Sequence, residues 1–194
     1  MTSLSRRRLA LSVLALAGSS GVARAQAAPR VKFVTSMGEF TVELWPDRAP
    51  KTVENFLQYV RAKHYDGTIF HRVIPTFMIQ GGGFDPAMKE KPTRPPVEHE
   101  GRAALAKGAR NTTGTIAMAR TPDPNSATSQ FFINVKDNGM LDPGVREPYG
   151  YTVFGRVVSG METVEKIRAV PTASRGGHDD VPRTPVTITS VTLL

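Results

Sequence analysis

The strongest constraint on this chain is its punctuation. Apolar and polar residues alternate in short runs, and almost every run is stopped by glycine or proline. With 17 glycines and 15 prolines in 194 residues, the pattern favours short strands joined by turns over a helical bundle. Residues 31–35 alternate, Ser36-Met37-Gly38 turns, and residues 39–45 alternate again with Phe40, Val42 and Leu44 on one face. The pair predicts a hairpin, ended by Pro46. Residues 68–73, Met78–Gly81, 113–119, 129–135, 151–158 and 186–194 predict further strands. Phe131 and Phe132 fall on opposite faces of theirs. Two stretches have helical period. In 50–60, Pro50 fits the first helical position, and Val53, Phe56, Leu57 and Val60 make one apolar face. In 162–169, a stripe of Met161, Val164 and Ile167 predicts a second, shorter helix. Residues 83–110, with Pro86, Pro92, Pro95 and Pro96, predict an irregular excursion, and long loops inside compact domains are often functional. About eight short strands, two helices and no strand-helix rhythm predict an antiparallel barrel or sandwich with helices over its ends.

The N-terminus reads as a secretory signal over residues 1–25. Arg6-Arg7-Arg8 form a basic region, an apolar small-residue stretch follows, and Ala23-Arg24-Ala25 gives a cleavage site. The apolar run is interrupted by Gly18-Ser19-Ser20-Gly21 and is shorter than the ~20 residues of a spanning helix, so no stable membrane association is expected. Ser5-Arg6-Arg7-Arg8-Leu9 also resembles a twin-arginine export signal. Taking away four arginines and no acid lowers the formal charge from +8 to +4. No basic cluster longer than a pair remains in 26–194, read as a single domain, and nucleic-acid binding is not indicated. The chain has no cysteine, which excludes disulfides, thiol catalysis and Cys-ligated metals.

Within this pattern one stretch carries more than a strand requires: Phe70-His71-Arg72-Val73-Ile74-Pro75-Thr76-Phe77-Met78-Ile79-Gln80-Gly81-Gly82-Gly83. Phe70, Val73, Phe77 and Ile79 suffice for a core. Arg72 and Gln80 do not belong in one without polar partners. Taken alone, the stretch is either a strand pair with a site on one face or an exposed hairpin. Conventional catalytic signatures are missing. Gly-x-Ser-x-Gly is absent, the glycine run lacks the spacing of a dinucleotide loop, and His64, His71, His99 and His178 are scattered without metal-ligand spacing. No metal and no cofactor are expected.

Phe70-His71-Arg72-Val73-Ile74-Pro75 followed by Phe77-Met78-Ile79-Gln80-Gly81-Gly82 resembles the signature of cyclophilin-type peptidyl-prolyl cis-trans isomerases. Further blocks extend the resemblance in order along the chain. They are Ala49-Pro50-Lys51-Thr52-Val53-Glu54-Asn55-Phe56, Gly114-Thr115-Ile116-Ala117-Met118-Ala119, Ser126-Ala127-Thr128-Ser129-Gln130-Phe131-Phe132-Ile133 and Val153-Phe154-Gly155-Arg156-Val157-Val158-Ser159-Gly160-Met161. The signal and the loop lengths most resemble bacterial periplasmic members. The resemblance implies a closed eight-stranded antiparallel β-barrel capped by two α-helices, with a proline pocket on its outside. It implies isomerisation of Xaa-Pro bonds, assisting the folding of exported proteins in the periplasm, possession of no cofactor, and proline-containing segments of folding proteins as partners of a monomer. Arg72, Phe77 and Gln80 take the catalytic positions. Met78, Phe132 and Leu141 complete the apolar pocket with Phe77, and His71, Ala119, Arg120, Met140 and Tyr151 join the substrate-binding set. Arg120 stands where many relatives have Asn. Met140 stands where eukaryotic members often carry the Trp that contributes to cyclosporin binding, and Tyr151 where they carry a His. Weakened cyclosporin affinity with activity retained is the expectation. The competing class is a cyclophilin-like barrel that binds proline-rich segments or acts as a chaperone without catalysis. Loss of the Arg, the Phe-Met pair or the Gln would favour it, and all are present.

Overall fold

The computed structural model describes residues 27–194. The signal and cleavage site read in residues 1–25 lie outside the described residues. The alternating runs form β1 (Arg30–Thr35), β2 (Gly38–Leu44), β3 (Thr68–Ile74), β4 (Met78–Gly81), β5 (Thr115–Met118), β6 (Phe131–Asn134), β7 (Val153–Ser159) and β10 (Thr187–Leu193). These eight close an antiparallel barrel in the order β1-β10-β3-β4-β6-β5-β7-β2. The expected barrel is therefore present. Helix α1 (Pro50–Arg61) begins on Pro50, whose missing N–H costs nothing at a helix start. It buries Val53, Phe56, Leu57 and Val60, the face read from the sequence. Helix α3 (Met161–Arg168) buries Val164 and Ile167.

Two elements differ from the sequence reading. A third helix, α2 (Gly101–Ala106), lies inside the stretch expected to be irregular. It is six residues long, too short for a periodic apolar face to show. Residues 172–182 form a separate two-stranded ribbon of β8 (Thr172–Arg175) and β9 (His178–Pro182). Most of its side chains are exposed, so it lacks the apolar alternation that marks a barrel strand.

The barrel interior is an aromatic core. Phe33 and Phe40 stack at 4.7 Å, joined across the β1–β2 pair by their register. Phe131 meets Phe33, Phe56, Tyr65 and Phe70 edge-on at 5.5–6.1 Å. These are the offset geometries that aromatic quadrupoles prefer. All six rings are at most 1% exposed. Fully burying each side chain contributes roughly 1.5–3 kcal/mol. The Tyr65 hydroxyl is satisfied by donating to the Ser129 carbonyl at 2.9 Å.

One irregularity in the barrel governs what faces outward. Between β3 and β4, Phe70 pairs with Gly81 and Arg72 with Gln80, so His71 is an extra residue in a bulge. A bulge resets the alternation of a strand. Phe70 and Val73, three apart, both reach the core, while Arg72 stays outside it and is half-exposed.

Candidate active site

The strand registers set out the outer face. Arg72 pairs with Gln80, Gln80 with Phe132, and Phe132 with Ala117. This aligns a cation, an amide and an aromatic ring across three adjacent strands. One step along, Ile74 pairs with Met78 and Met78 with Asn134. Phe77 reaches the row from a tight turn. Its N–H donates to the Ile74 carbonyl at 3.0 Å, with Pro75 in the turn position its fixed φ favours.

A cavity of about 200 Å³ lies on this face, lined by Arg72, Phe77, Met78, Gln80, Ala119, Arg120, Phe132, Leu141 and Tyr151. Of the eleven residues singled out from the sequence, these nine line it and two do not. Met140 is 42% exposed beside it. His71 is buried in the bulge, its ring 4.6 Å from Phe84, and lines a second cavity of about 490 Å³ that shares Arg72 and Gln80 with the first.

The walls are held by polar anchors. Phe132 and Tyr151 meet edge-to-face at 5.5 Å. Tyr151 carries the Arg120 guanidinium 4.7 Å above its ring, a favourable cation–π arrangement. Arg120 Nε and Nη2 donate to the Gly150 carbonyl at 3.0 and 2.8 Å, and Nη1 donates to the Thr121 carbonyl at 2.9 Å. Its Nη2 also pairs with Glu147. The Arg120 side chain is only 4% exposed. It therefore borders the groove mainly as a staple between loops. Gln80 Nε2 donates to Gln130 Oε1 at 3.1 Å, which fixes the amide plane beside Arg72. Arg72 itself is 44% exposed, with Asp180 its one carboxylate neighbour among the described residues, at 3.9 Å. Its donors remain available to a ligand.

A buried polar network that the sequence reading missed underlies the pocket. Asn138 Nδ2 donates to the Phe77 carbonyl at 2.7 Å and to Asn134 Oδ1 at 2.8 Å. Asn134 Nδ2 donates to Thr115 Oγ1 at 2.9 Å. The Asn111 N–H and Nδ2 both donate to the Asp142 carboxylate, at 2.8 and 2.9 Å. These residues are at most 4% exposed. They tie the Phe77 turn to the segment carrying Leu141. Asn111, Asn138 and Asp142 lie in loops, where Asn and Asp are ordinary turn residues, and Asn134 ends β6, so nothing local in the sequence marked them.

Burial lowers the pKa of His71 to about 4, reinforced by the neighbouring His178 and Arg72, and the imidazole is neutral at pH 7. Among the described residues no group of three or more His, Asp or Glu is placed to hold a metal ion.

The arrangement offers an apolar slot for a ring, one exposed guanidinium at its edge and a fixed amide next to it. That set binds and polarises without a nucleophile. Comparison with known proteins agrees. The family model described as cyclophilin type peptidyl-prolyl cis-trans isomerase/CLD matches residues 30–193. The chain is 55% identical over 166 residues to peptidyl-prolyl cis-trans isomerase cyp18 of Streptomyces antibioticus, covering 84% of this chain and 98% of that one. It is 48% identical over 193 residues to peptidyl-prolyl cis-trans isomerase A of Dickeya dadantii, covering 98% and 99%. Among solved structures it resembles a Cryptosporidium parvum cyclophilin type peptidyl-prolyl cis-trans isomerase crystallised in the presence of the dipeptide ala-pro, with TM-score 0.71, 27% identity and coverage of 85% and 98%. With the match spanning the whole barrel, this chain belongs to the cyclophilin-type peptidyl-prolyl cis-trans isomerase family.

Proposed function

We propose that the 200 Å³ cavity holds the proline ring of a substrate and that Arg72 supplies the catalytic hydrogen bond. The barrier to rotation about an Xaa-Pro bond, ~18–20 kcal/mol, is lost amide resonance. No covalent bond breaks, so the task is to bind the twisted amide better than either planar form. In the twisted state the proline nitrogen regains its lone pair. Arg72 donates to it, an interaction that the planar ground state cannot make. Phe77, Met78, Phe132 and Leu141 enclose the ring and keep water away, which strengthens that bond. Gln80 fixes the peptide backbone on one side, so that rotation is confined to the other.

The observation that carries this reading is the juxtaposition of the half-exposed Arg72 guanidinium with the apolar slot, in the Arg72–Gln80–Phe132 register. A chain that only held proline-rich segments would need the slot but no free donor at its rim. In the cell, the reading is of an exported, monomeric folding catalyst of the periplasm, supported by the N-terminal signal pattern. Cyclosporin-type ligands bind weakly, because Met140 offers no indole there. A protease-coupled assay on a proline-containing peptide tests the reading. Wild type accelerates the slow phase, and Arg72→Ala loses roughly 10²–10³-fold of that acceleration with its circular dichroism unchanged. Near-normal turnover by the variant removes Arg72 from the mechanism.

A further inference from the structure

The 490 Å³ cavity on the far side of Arg72 is not used by the reaction as described. We propose that it is a subsite for a cationic side chain, lysine or arginine, flanking the substrate proline. The proposal rests on the reading of the adjoining cavity as the proline pocket.

The two cavities share Arg72 and Gln80 as a common wall, so a peptide seated in one runs into the other. The outer wall of the larger is the β8–β9 ribbon, which brings Asp179 and Asp180 to its rim. Neither carboxylate lies within hydrogen-bonding distance of a cation among the described residues. Asp180 approaches Arg72 only to 3.9 Å, beyond hydrogen-bonding distance. Asp179 accepts a hydrogen bond from the Ser174 hydroxyl at 2.6 Å, which orients it without neutralising it. Arg175, on the same ribbon, donates instead to the Pro86 carbonyl at 3.1 Å. Two carboxylates face one guanidinium in the lining, beside the imidazoles of His71 and His178.

The inner wall is polar as well as apolar. His71 is 4% exposed, lines the cavity, and its Nδ1 has no hydrogen-bond partner among the described residues. A neutral imidazole carries one ring nitrogen that accepts. Beside it the half-buried Phe84 ring packs at 4.6 Å, an apolar surface for the methylene stem of a long basic side chain. Carboxylates at the rim, an unused imidazole in the wall and an aromatic face suit a cation on a flexible stem. They do not suit an acidic side chain, which would meet both aspartates.

The test uses the protein from Gln26 and peptides identical except for Lys, Ala or Glu at each of the two positions on either side of the proline. At low ionic strength kcat/KM for the best-placed Lys peptide exceeds that for its Glu counterpart by about fivefold, and 0.5 M salt reduces the ratio. In Asp179→Asn/Asp180→Asn the ratio falls to about one. Asn tolerates the left-handed backbone at Asp180, φ 60°, so the variant keeps its fold. Affinities of the same peptides are measured in parallel by calorimetry. Absence of a Lys preference at every position in wild type overturns the proposal, as does a preference that survives in the double variant. Failure to turn over the Ala peptide overturns the isomerase reading instead, and the calorimetric ratio still decides the subsite.

Discussion

Replacing Arg120 by alanine separates two roles that the residue's position allows. Along a substrate groove, an arginine serves as a ligand contact. In this fold its side chain is 4% exposed and ties Gly150, Thr121 and Glu147 together while covering the Tyr151 ring. Each charge-assisted hydrogen bond to a buried acceptor is worth about 1.5–3 kcal/mol on removal. The sum here is smaller than the bonds suggest. The Gly150 carbonyl keeps a contact to His99 Nε2 at 3.2 Å, and Glu147 is 37% exposed and can rehydrate. A net loss of about 3 kcal/mol follows. At about 2–4 °C per kcal/mol for a domain of this size, Tm falls by about 6–12 °C. The released loop loosens Tyr151 and Leu141, and kcat/KM on an Xaa-Pro peptide falls about tenfold, equivalent to about 1.4 kcal/mol. Arg120→Lys restores little, because one ammonium cannot span the acceptors that the planar fork reaches. Thermal unfolding and the protease-coupled assay are read together. A large loss of activity with Tm unchanged refutes the staple and restores the ligand-contact role. An unchanged Tm with unchanged activity refutes both.

Three further outcomes follow from the same structure. The pKa of His71 is pushed down to about 4 by burial first and then by His178 and Arg72, against about 6.5 in the unfolded chain. Between those values the unfolded state binds more protons, so stability rises with pH from 4 to 6.5 and is fully present above. The loss between pH 7 and 4.5 is about 2 kcal/mol, measured by urea unfolding at the two pH values. It shrinks in His71→Asn, and an undiminished dependence there assigns it elsewhere. Asn138→Ala removes the donor to the Phe77 carbonyl and costs about 2–3 kcal/mol, seen as a lower urea midpoint, with lower turnover as the Phe77 turn relaxes. A midpoint equal to wild type contradicts the anchoring role of the network. Met140→Trp, at a position 42% exposed beside the pocket, raises cyclosporin affinity in a fluorescence titration while leaving turnover near wild type. An unaltered affinity removes Met140 as the cause of the weak binding proposed above.

β1 and β2 were legible because each buries one face, which forces alternation, whereas β5 and β6, buried at every position, were legible as short runs bounded by turn residues. The face of α1 was legible because Val53, Phe56, Leu57 and Val60 recur at helical spacing. The β8–β9 ribbon was not, since a ribbon resting on the outside of a barrel buries too little to need an apolar pattern. Nor was α2, which packs little more than Ala104. In the site, the outer row was readable from the family resemblance, with Arg72, Gln80 and Phe132 falling in register as their strands pair. Two things were invisible. The bulge at His71 depends on β4 offering one residue against two, which no local pattern in β3 reveals. The burial of Arg120 depends on Glu147 and Gly150, about thirty residues away, so its side chain reads as exposed until the loops are brought together. The network under Phe77 was missed for the same reason: its members come from three separate segments.

The central claim is that Arg72 stabilises the twisted amide and not the bound peptide. The most direct measurement is cis–trans exchange of a proline-containing peptide by NMR, run beside a titration of its affinity, for wild type and Arg72→Ala. The account predicts that exchange falls roughly 10²–10³-fold while affinity changes by less than about threefold, since the slot of Phe77, Met78, Phe132 and Leu141 still binds the ring. Exchange that persists in the variant, or exchange and affinity falling by the same factor, contradicts it.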